Sequence, residues 1–223
     1  MLKDKKIRSL KDKDLVSEAL ITSVFLSLSG GYMDAYTYFG RDKVFSNGQT
    51  GNMVIMGYNI LSGDFNIALR YLIPILAFAV GIFLTEFIKD RIKIRFLYWR
   101  QAIIGIEILI LFLVGFIPPE LNRLATMLVS FVCALQVEAF RKIRGYDYAS
   151  TMCLGNLRSG MEALAHYSKN GEKAYLKKAV HYFSIIVIFT LGAALGGILT
   201  VKFGIYAIWG SCLFLAFSFF IFF

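Results

Sequence analysis

Two carboxylate side chains stand inside long apolar segments of this sequence, and each is followed by a turn rich in glycine and asparagine. Asp34 precedes the turn Thr50–Asn52, and Glu138 precedes the turn Leu154–Asn156. In both halves of the chain, the carboxylate and the last asparagine are 18 residues apart. An ionisable group in an apolar segment is costly, so it usually faces a partner or a polar cavity. Asp34 and Glu138 are therefore the first candidates for a binding site.

The turns that follow the two carboxylates offer a second set of polar groups. Each turn stands at the start of a short predicted helix, where free backbone N–H groups and the positive end of the helix dipole suit an anionic or carbonyl-bearing ligand. A threonine or asparagine at such a position can instead be an ordinary N-cap. The candidate substrate-binding residues are Asp34, Gln49, Thr50, Gly51, Asn52, Glu138, Gly155 and Asn156.

Structural interpretations compete with the functional ones. Asp34 and Glu138 could each cap a turn, or pair with Arg41 and Arg144 respectively. Glu107 lies in the middle of an apolar segment and is expected to pair with a lysine or arginine. The sequence shows no nucleotide-binding loop, Ser/His/Asp set or metal cluster. An enzymatic activity, a cofactor and a metal site are therefore not expected.

Long apolar segments define the class of this protein. Of its 223 residues, 57% are hydrophobic, whereas a soluble domain has roughly 45–50%. Six segments approach the length of about 20 residues that a helix needs to cross a bilayer. They are residues 15–38, 68–88, 101–117, 121–140, 179–200 and 204–223. We therefore predict an all-α integral membrane protein whose 223 residues form a single membrane domain.

The distribution of lysine and arginine predicts how the chain crosses the membrane. Six basic residues precede the first segment, and two further basic clusters separate the second segment from the third and the fourth from the fifth. The other connections carry few cations. Because cytoplasmic connections are enriched in Lys and Arg, this alternation predicts six crossings of the plasma membrane with both termini in the cytoplasm. Topology and lipid binding thus account for the net charge of +9, and no nucleic-acid partner is expected.

Two features interrupt the pattern of membrane spans. The pair Gly30-Gly31 predicts a break in the first span, because glycine weakens a helix. Residues 48–61 and 155–167 predict short helices. At about 1.5 Å per residue, the first is roughly 20 Å long, which is too short for a hydrocarbon core of about 30 Å. Both are expected to enter the membrane without crossing it, and the tyrosines of the first span are interpreted as an aromatic belt.

The two halves of the chain match each other in register. At an offset of 104 residues the pairs are Asp34 and Glu138, Ser46 and Ser150, Gly51 and Gly155, and Asn52 and Asn156. At an offset of 111 residues, Gly81 corresponds to Gly192. The repeats extend over about 15–117 and 121–223, and each contains three spans. Because three is an odd number, the copies must have opposite orientations, an arrangement that recurs in transporters and channels.

The same motifs resemble those of a known family. The pattern Gly30-Gly31-x-x-Asp34-Ala35, a following phenylalanine and Thr50-Gly51-Asn52 resemble the YoaK family of bacterial membrane proteins, a domain of unknown function (1275). Two runs of the second half look like one branch of this family: residues 140–145 and 151–160. The resemblance implies a membrane location and six helices, but no activity, ligand or catalytic residue. Leu154 and Glu138 depart from the family pattern, which has a threonine and commonly an amide there.

These observations favour a small secondary transporter for an unknown small solute over two alternatives. A proton could accompany the solute, because burial of Asp34 or Glu138 would favour the neutral carboxyl group. The first alternative is a membrane scaffold or partner subunit whose polar motifs stabilise helix breaks, and a membrane-embedded enzyme comes third. The small residues at 192–197 suit tight helix packing in lipid, and they are also a candidate surface for a homodimer. A cavity lined by both turns would favour transport, and a packed interior would favour the scaffold.

Overall fold

The described chain forms a bundle of α-helices that are 13 to 39 residues long. The computed structural model describes residues 2–91, 96–143, 146–147 and 153–221. The α-helices in this part of the chain are α1 (Leu2–Gly40), α2 (Gln49–Leu61), α3 (Phe65–Arg91), α4 (Phe96–Val114), α5 (Asn122–Ala139), α6 (Cys153–Asn170), α7 (Lys173–Phe203) and α8 (Trp209–Ile221). Short 3₁₀ helices at Pro119–Leu121 and Gly204–Ile208 precede α5 and α8.

Three segments of the described chain are long and apolar enough to cross a membrane. They are Phe65–Lys89, Pro119–Ala139 and Lys173–Ile221, the last of which contains both α7 and α8. These segments contain the spans predicted at 68–88, 179–200 and most of 121–140 and 204–223. The spans predicted at 15–38 and 101–117 correspond to the helices α1 and α4, and their crossing of a membrane stays a prediction.

The surface of the bundle is strongly apolar, as expected for helices that contact lipid. On α3, Leu76, Val80 and Phe83 are exposed, and on α7 the same holds for Leu191 and Ile198. A water-soluble protein rarely exposes so many large apolar side chains along one helix face. The outer faces of α3 and α7 therefore suit a hydrocarbon environment.

The helix α1 runs without a break from Leu2 to Gly40, so the prediction of a break at Gly30-Gly31 is wrong. Gly31 instead allows a close approach between helices. A Cβ atom at Gly31 would overlap the carbonyl oxygen of Phe189 and lie 2.9 Å from the backbone nitrogen of Ala193, both on α7. The missing side chain is needed because the two backbones touch there.

The packing of the helices has an internal symmetry. The helix α1 contacts α7 and α8, and α5 correspondingly contacts α3 and α4. The short helix α2 lies on α3 just as α6 lies on α7, while α4 contacts α8 and α1 contacts α5. Exchanging α1–α4 for α5–α8 therefore reproduces the same set of contacts. The helices α1 and α5 occupy equivalent positions near the centre of the bundle.

The small residues of α7 are used within the chain. Gly192 and Gly196 are buried against the backbone of α1, and a Cβ atom at Gly196 would lie 2.6 Å from the carbonyl oxygen of Tyr32. The equivalent glycine of α3, Gly81, would place a Cβ atom 3.0 Å from the carbonyl oxygen of Phe131 on α5. The predicted tight packing is confirmed. However, these glycines pack against α1 of the same chain. The sequence interpretation of residues 192–197 as a homodimer surface is therefore not supported.

The tyrosines of α1 point into the bundle and do not form a surface belt. Tyr32 and Tyr36 are buried, and their hydroxyl groups donate to the backbone oxygens of Ala207 (2.6 Å) and Ile205 (3.0 Å). These bonds fix the 3₁₀ turn before α8 to the centre of α1. The prediction of an aromatic belt is therefore wrong for these two residues.

A buried arginine joins the end of α1 to the α4–α5 connection. Arg41 is fully buried, and its guanidinium donates to the Tyr36 hydroxyl (2.9 Å), the Asn122 side-chain oxygen (2.9 Å) and the Val114 carbonyl oxygen (3.2 Å). The last of these bonds caps the C-terminus of α4, where a cation is favourable. Arg41 does not pair with Asp34, contrary to the structural alternative considered above.

The described part of the loop after α5 adds a small element that the sequence did not predict. The two-residue strands β1 (Lys142–Ile143) and β2 (Tyr146–Asp147) pair antiparallel. Ser150, the predicted counterpart of Ser46, lies outside the described residues, and so does Arg144, the predicted partner of Glu138.

Candidate functional site

The start of α2 and the start of α6 face the same cavity. Its volume is about 950 Å³, and its lining comes from α1, α2, α3, α6 and α7 and the connection before α2. The polar lining residues are Asp34, Asn47, Gln49, Thr50 and Arg158. The apolar lining residues include Ile75, Phe78, Ile82, Leu154 and Phe189. Elements of both sequence halves therefore enclose one space with a polar region and an apolar region.

Asp34 holds the connection between α1 and α2 in place. Its carboxylate accepts hydrogen bonds from the backbone N–H of Asn47 (2.9 Å) and from the hydroxyl group of Ser46 (3.3 Å). The side-chain N–H of Asn47 donates in turn to the carbonyl oxygen of Gly30 (3.1 Å). The α1–α2 connection is thus fastened to α1 beside the cavity. Asp34 caps a turn, as one interpretation predicted, and also lines the cavity.

Asn52 has a different position from the one expected for a ligand-binding residue. It is fully buried, and its side chain accepts from the backbone N–H of Phe45 (3.1 Å) and donates to the Phe45 carbonyl oxygen (2.7 Å) and to Gln49 Oε1 (2.9 Å). Gly51 packs against the Phe45 ring. The helix α2 begins after Gly48, which has no side-chain cap, so neither Thr50 nor Asn52 is its N-cap.

Replacing Asn52 by alanine should destabilise the protein strongly. The substitution leaves both backbone groups of Phe45 and the Gln49 oxygen without their partner, at a cost of about 2–4 kcal/mol, since each buried unpaired group costs about 1–3 kcal/mol. Thermal unfolding of the detergent-solubilised protein measures this effect. The exposed Asn66, which contacts only Arg123 among the bonds described, provides the control, and Asn66→Ala should change stability by about 0.5 kcal/mol at most. Equal stabilities of the two variants would contradict this role of Asn52.

The second turn contributes three residues to the cavity. Cys153, Leu154 and Gly155 line the cavity at the first turn of α6, and Leu154 is exposed. Asn156, the counterpart of Asn52, is buried and does not line the cavity. The segment 148–152, which would correspond to the loop that Asn52 holds, lies outside the described residues. Arg158 lines the cavity and bonds to Glu162 (2.9 Å).

Glu138 lies apart from this cavity. Its carboxylate is 3.9 Å from the guanidinium of Arg141, and it interacts with Glu86, which forms an ion pair of 2.8 Å with Lys89. This charged cluster joins the end of α5 to the end of α3. Although the offset of 104 residues relates Glu138 to Asp34, the two side chains therefore have different surroundings.

Sequence reasoning misjudged Glu107. Its side chain is fully buried in α4, and neither carboxylate oxygen has a hydrogen-bond partner among the described residues. The predicted pairing with a lysine or arginine is therefore wrong within the described chain. The sequence does show a carboxylate in the middle of an apolar segment. Whether this carboxylate has a partner depends on how α4 packs against α5 and α8.

The chemistry available at the cavity is that of binding. The described residues contain no group of three or more His, Cys, Asp or Glu side chains placed to hold a metal ion. The carboxylate of Asp34, the amides of Asn47 and Gln49 and the guanidinium of Arg158 can form hydrogen bonds and ion pairs. Of the predicted site residues, the structure brings together Asp34, Gln49, Thr50 and Gly155. It places Gly51, Asn52, Glu138 and Asn156 elsewhere.

Comparison with known proteins identifies the family. The model of the family described as "Protein of unknown function (DUF1275)" matches residues 22–221. The chain is also 24% identical over 196 residues to the UPF0700 transmembrane protein YoaK of Bacillus subtilis (strain 168), covering 82% of this chain and 85% of that protein. No solved structure matches the chain. Because the family model matches most of the chain, this membrane protein belongs to the DUF1275 family.

Proposed function

We propose that this protein is a small secondary transporter that moves a small solute through the cavity between α1, α2, α3, α6 and α7. The observation that carries this proposal is the position of the two turns. Residues 47–50 before and at the start of α2 and residues 153–155 at the start of α6 line one cavity. Small-molecule sites typically occupy cavities of about 300–1,000 Å³ with apolar walls and a few polar groups. This cavity has both properties.

The proposed membrane arrangement is a pair of inverted three-span repeats with both termini in the cytoplasm. Two independent observations support it. The basic residues alternate between connections as the positive-inside rule requires. The helix contacts are also symmetric, because swapping α1–α4 with α5–α8 gives the same set of contacting pairs. In this arrangement α2 and α6 enter from opposite sides, and the cavity lies where the copies meet.

The lining favours a solute that is partly apolar and partly polar. The side chains of Ile75, Phe78 and Phe189 offer an apolar surface, while Asp34 and Arg158 offer opposite charges. The starts of α2 and α6 add the positive ends of two helix dipoles. A small organic molecule with one polar end would satisfy both regions, and no enzymatic step is needed.

Filling the cavity provides a test that leaves the fold intact. Gly155 lines the cavity, and a side chain added there has no atom within 4 Å of its Cβ position. We expect Gly155→Trp to reduce solute uptake by about tenfold or more, because the indole occupies the space of the solute. Uptake is measured in liposomes against a solute panel, with a pH-sensitive dye inside.

The control for this experiment is Gly57→Trp. Gly57 lies on α2, does not line the cavity and also has open space around its Cβ position. Both variants should unfold at similar temperatures, but only the one at Gly155 should lose uptake. Equal uptake by the two variants would argue against passage through this cavity.

A membrane scaffold or partner subunit is the second candidate, and one observation favours it. Asp34 and Asn52 are both occupied with hydrogen bonds to the α1–α2 connection, as expected if the polar motifs only stabilise local structure. Wild-type protein that shows no flux with any solute of the panel, but keeps its stability, would support the scaffold. The variant Asp34→Asn also helps to distinguish a transporter from a scaffold, because it removes the charge of the side chain while keeping most of its shape.

A further inference from the structure

We propose that Glu107 is the proton-binding group of this protein. The packing at the centre of the bundle supports this proposal. Its link to solute movement rests on the transport function proposed above. The sequence interpretation placed a proton carrier at Asp34 or Glu138, whereas the structure points to a third carboxyl group.

The surroundings of Glu107 favour a bound proton. The side chain is fully buried in α4, and both of its oxygens lack a hydrogen-bond partner among the described residues. A carboxylate without a partner costs several kcal/mol or more in an apolar environment, whereas a protonated carboxyl group costs far less. A buried group that is neither paired nor bonded is thus poised to bind and release a proton.

The helices packed against α4 present few titratable groups to Glu107. From α5 comes Cys133, and from α8 comes Cys212, whose thiol lies 3.9 Å from the Ile108 carbonyl oxygen. The 3₁₀ helix before α8 carries Tyr206, which is exposed. None of the ion pairs in the described part of the chain involves Glu107.

The thiol of Cys133 faces α1. Cys133 is fully buried, and its sulfur lies 3.9 Å from the sulfur of Met33. It therefore provides no hydrogen bond to Glu107, whose oxygens have no partner among the described residues.

Infrared spectroscopy of the full-length protein in liposomes tests the proton site without a solute. The difference spectrum between wild type and Glu107→Gln should contain the C=O stretch of a protonated carboxyl group at neutral pH. Glu138→Gln is the matched control, because Glu138 lies beside Arg141, and it should leave that band in place. If the Glu107→Gln variant keeps the band at full intensity, the proposal is wrong.

A solute assay then tests the link to transport. With a transported solute, Glu107→Gln should keep uptake but lose the accompanying pH change. If wild type shows no uptake at all, the transport function fails, while the infrared band still decides the proton site.

Discussion

Arg41→Ala is expected to lower the free energy of unfolding by about 3–5 kcal/mol, because each of its buried partners left without a donor costs about 1–3 kcal/mol. The guanidinium is fully buried and joins Tyr36 at the end of α1 to Asn122 at the start of α5 and Val114 at the end of α4. The truncation leaves all three partners without their donor. Thermal unfolding of the purified protein in detergent measures the loss, and a drop in yield in the membrane fraction accompanies it.

Two further variants separate the geometry of Arg41 from its charge. Arg41→Lys should recover only part of the stability, because an ammonium group cannot reproduce the planar fork that reaches three directions. The control is Arg123→Ala, since Arg123 is only half-buried and its side chain bonds only to Asn66 among the described contacts. It should change stability by about 0.5 kcal/mol or less. A full recovery in Arg41→Lys would show that charge alone matters.

Gly192→Ala is expected to destabilise the protein by about 3 kcal/mol, the upper part of the range for overpacking a tight contact. The added methyl group would overlap the backbone of Leu28 on α1. Neither backbone can move without disturbing Gly196 and Gly31, which also form the α1–α7 contact. Thermal unfolding and resistance to limited proteolysis report on the result.

The same substitution at another helical glycine should have the opposite sign. Gly105 on α4 has nothing within 4 Å of its Cβ position. Gly105→Ala is therefore expected to leave stability unchanged or raise it by up to about 1 kcal/mol, the difference in helix propensity. If Gly192→Ala and Gly105→Ala behaved alike, the close α1–α7 contact would not contribute to stability.

The helices and their order could be predicted from the sequence, because apolar length and the placement of cations report directly on membrane helices. The short helix α2 could also be predicted from local signals. The break at Gly30-Gly31 was not correctly predicted. A glycine pair has the same local sequence signal whether it breaks a helix or admits a neighbouring backbone, and only the position of α7 decides between them.

Only part of the candidate site could be predicted from the sequence. Asp34, Gln49, Thr50 and Gly155 line the cavity because a carboxylate and the starts of two short helices were recognisable as polar features. Asn52 could not be distinguished from them, since its three bonds to Phe45 and Gln49 depend on the shape of the loop. Glu138 corresponds to Asp34 in the repeat but lies in different surroundings, so a repeat in sequence does not fix the environment of a side chain.

The most direct test of the account is the membrane sidedness of two equivalent connections. Ser62 lies after α2 and Ser168 lies near the end of α6, and both are exposed. In a background without Cys133, Cys153 and Cys212, single cysteines at Ser62→Cys and Ser168→Cys are labelled with a membrane-impermeant maleimide in intact cells. Inverted repeats predict that Ser62→Cys reacts from outside, and that Ser168→Cys reacts only after the membrane is opened. Labelling of both cysteines from the same side would contradict the inverted arrangement and the meeting of the two turns on which the proposed transport depends.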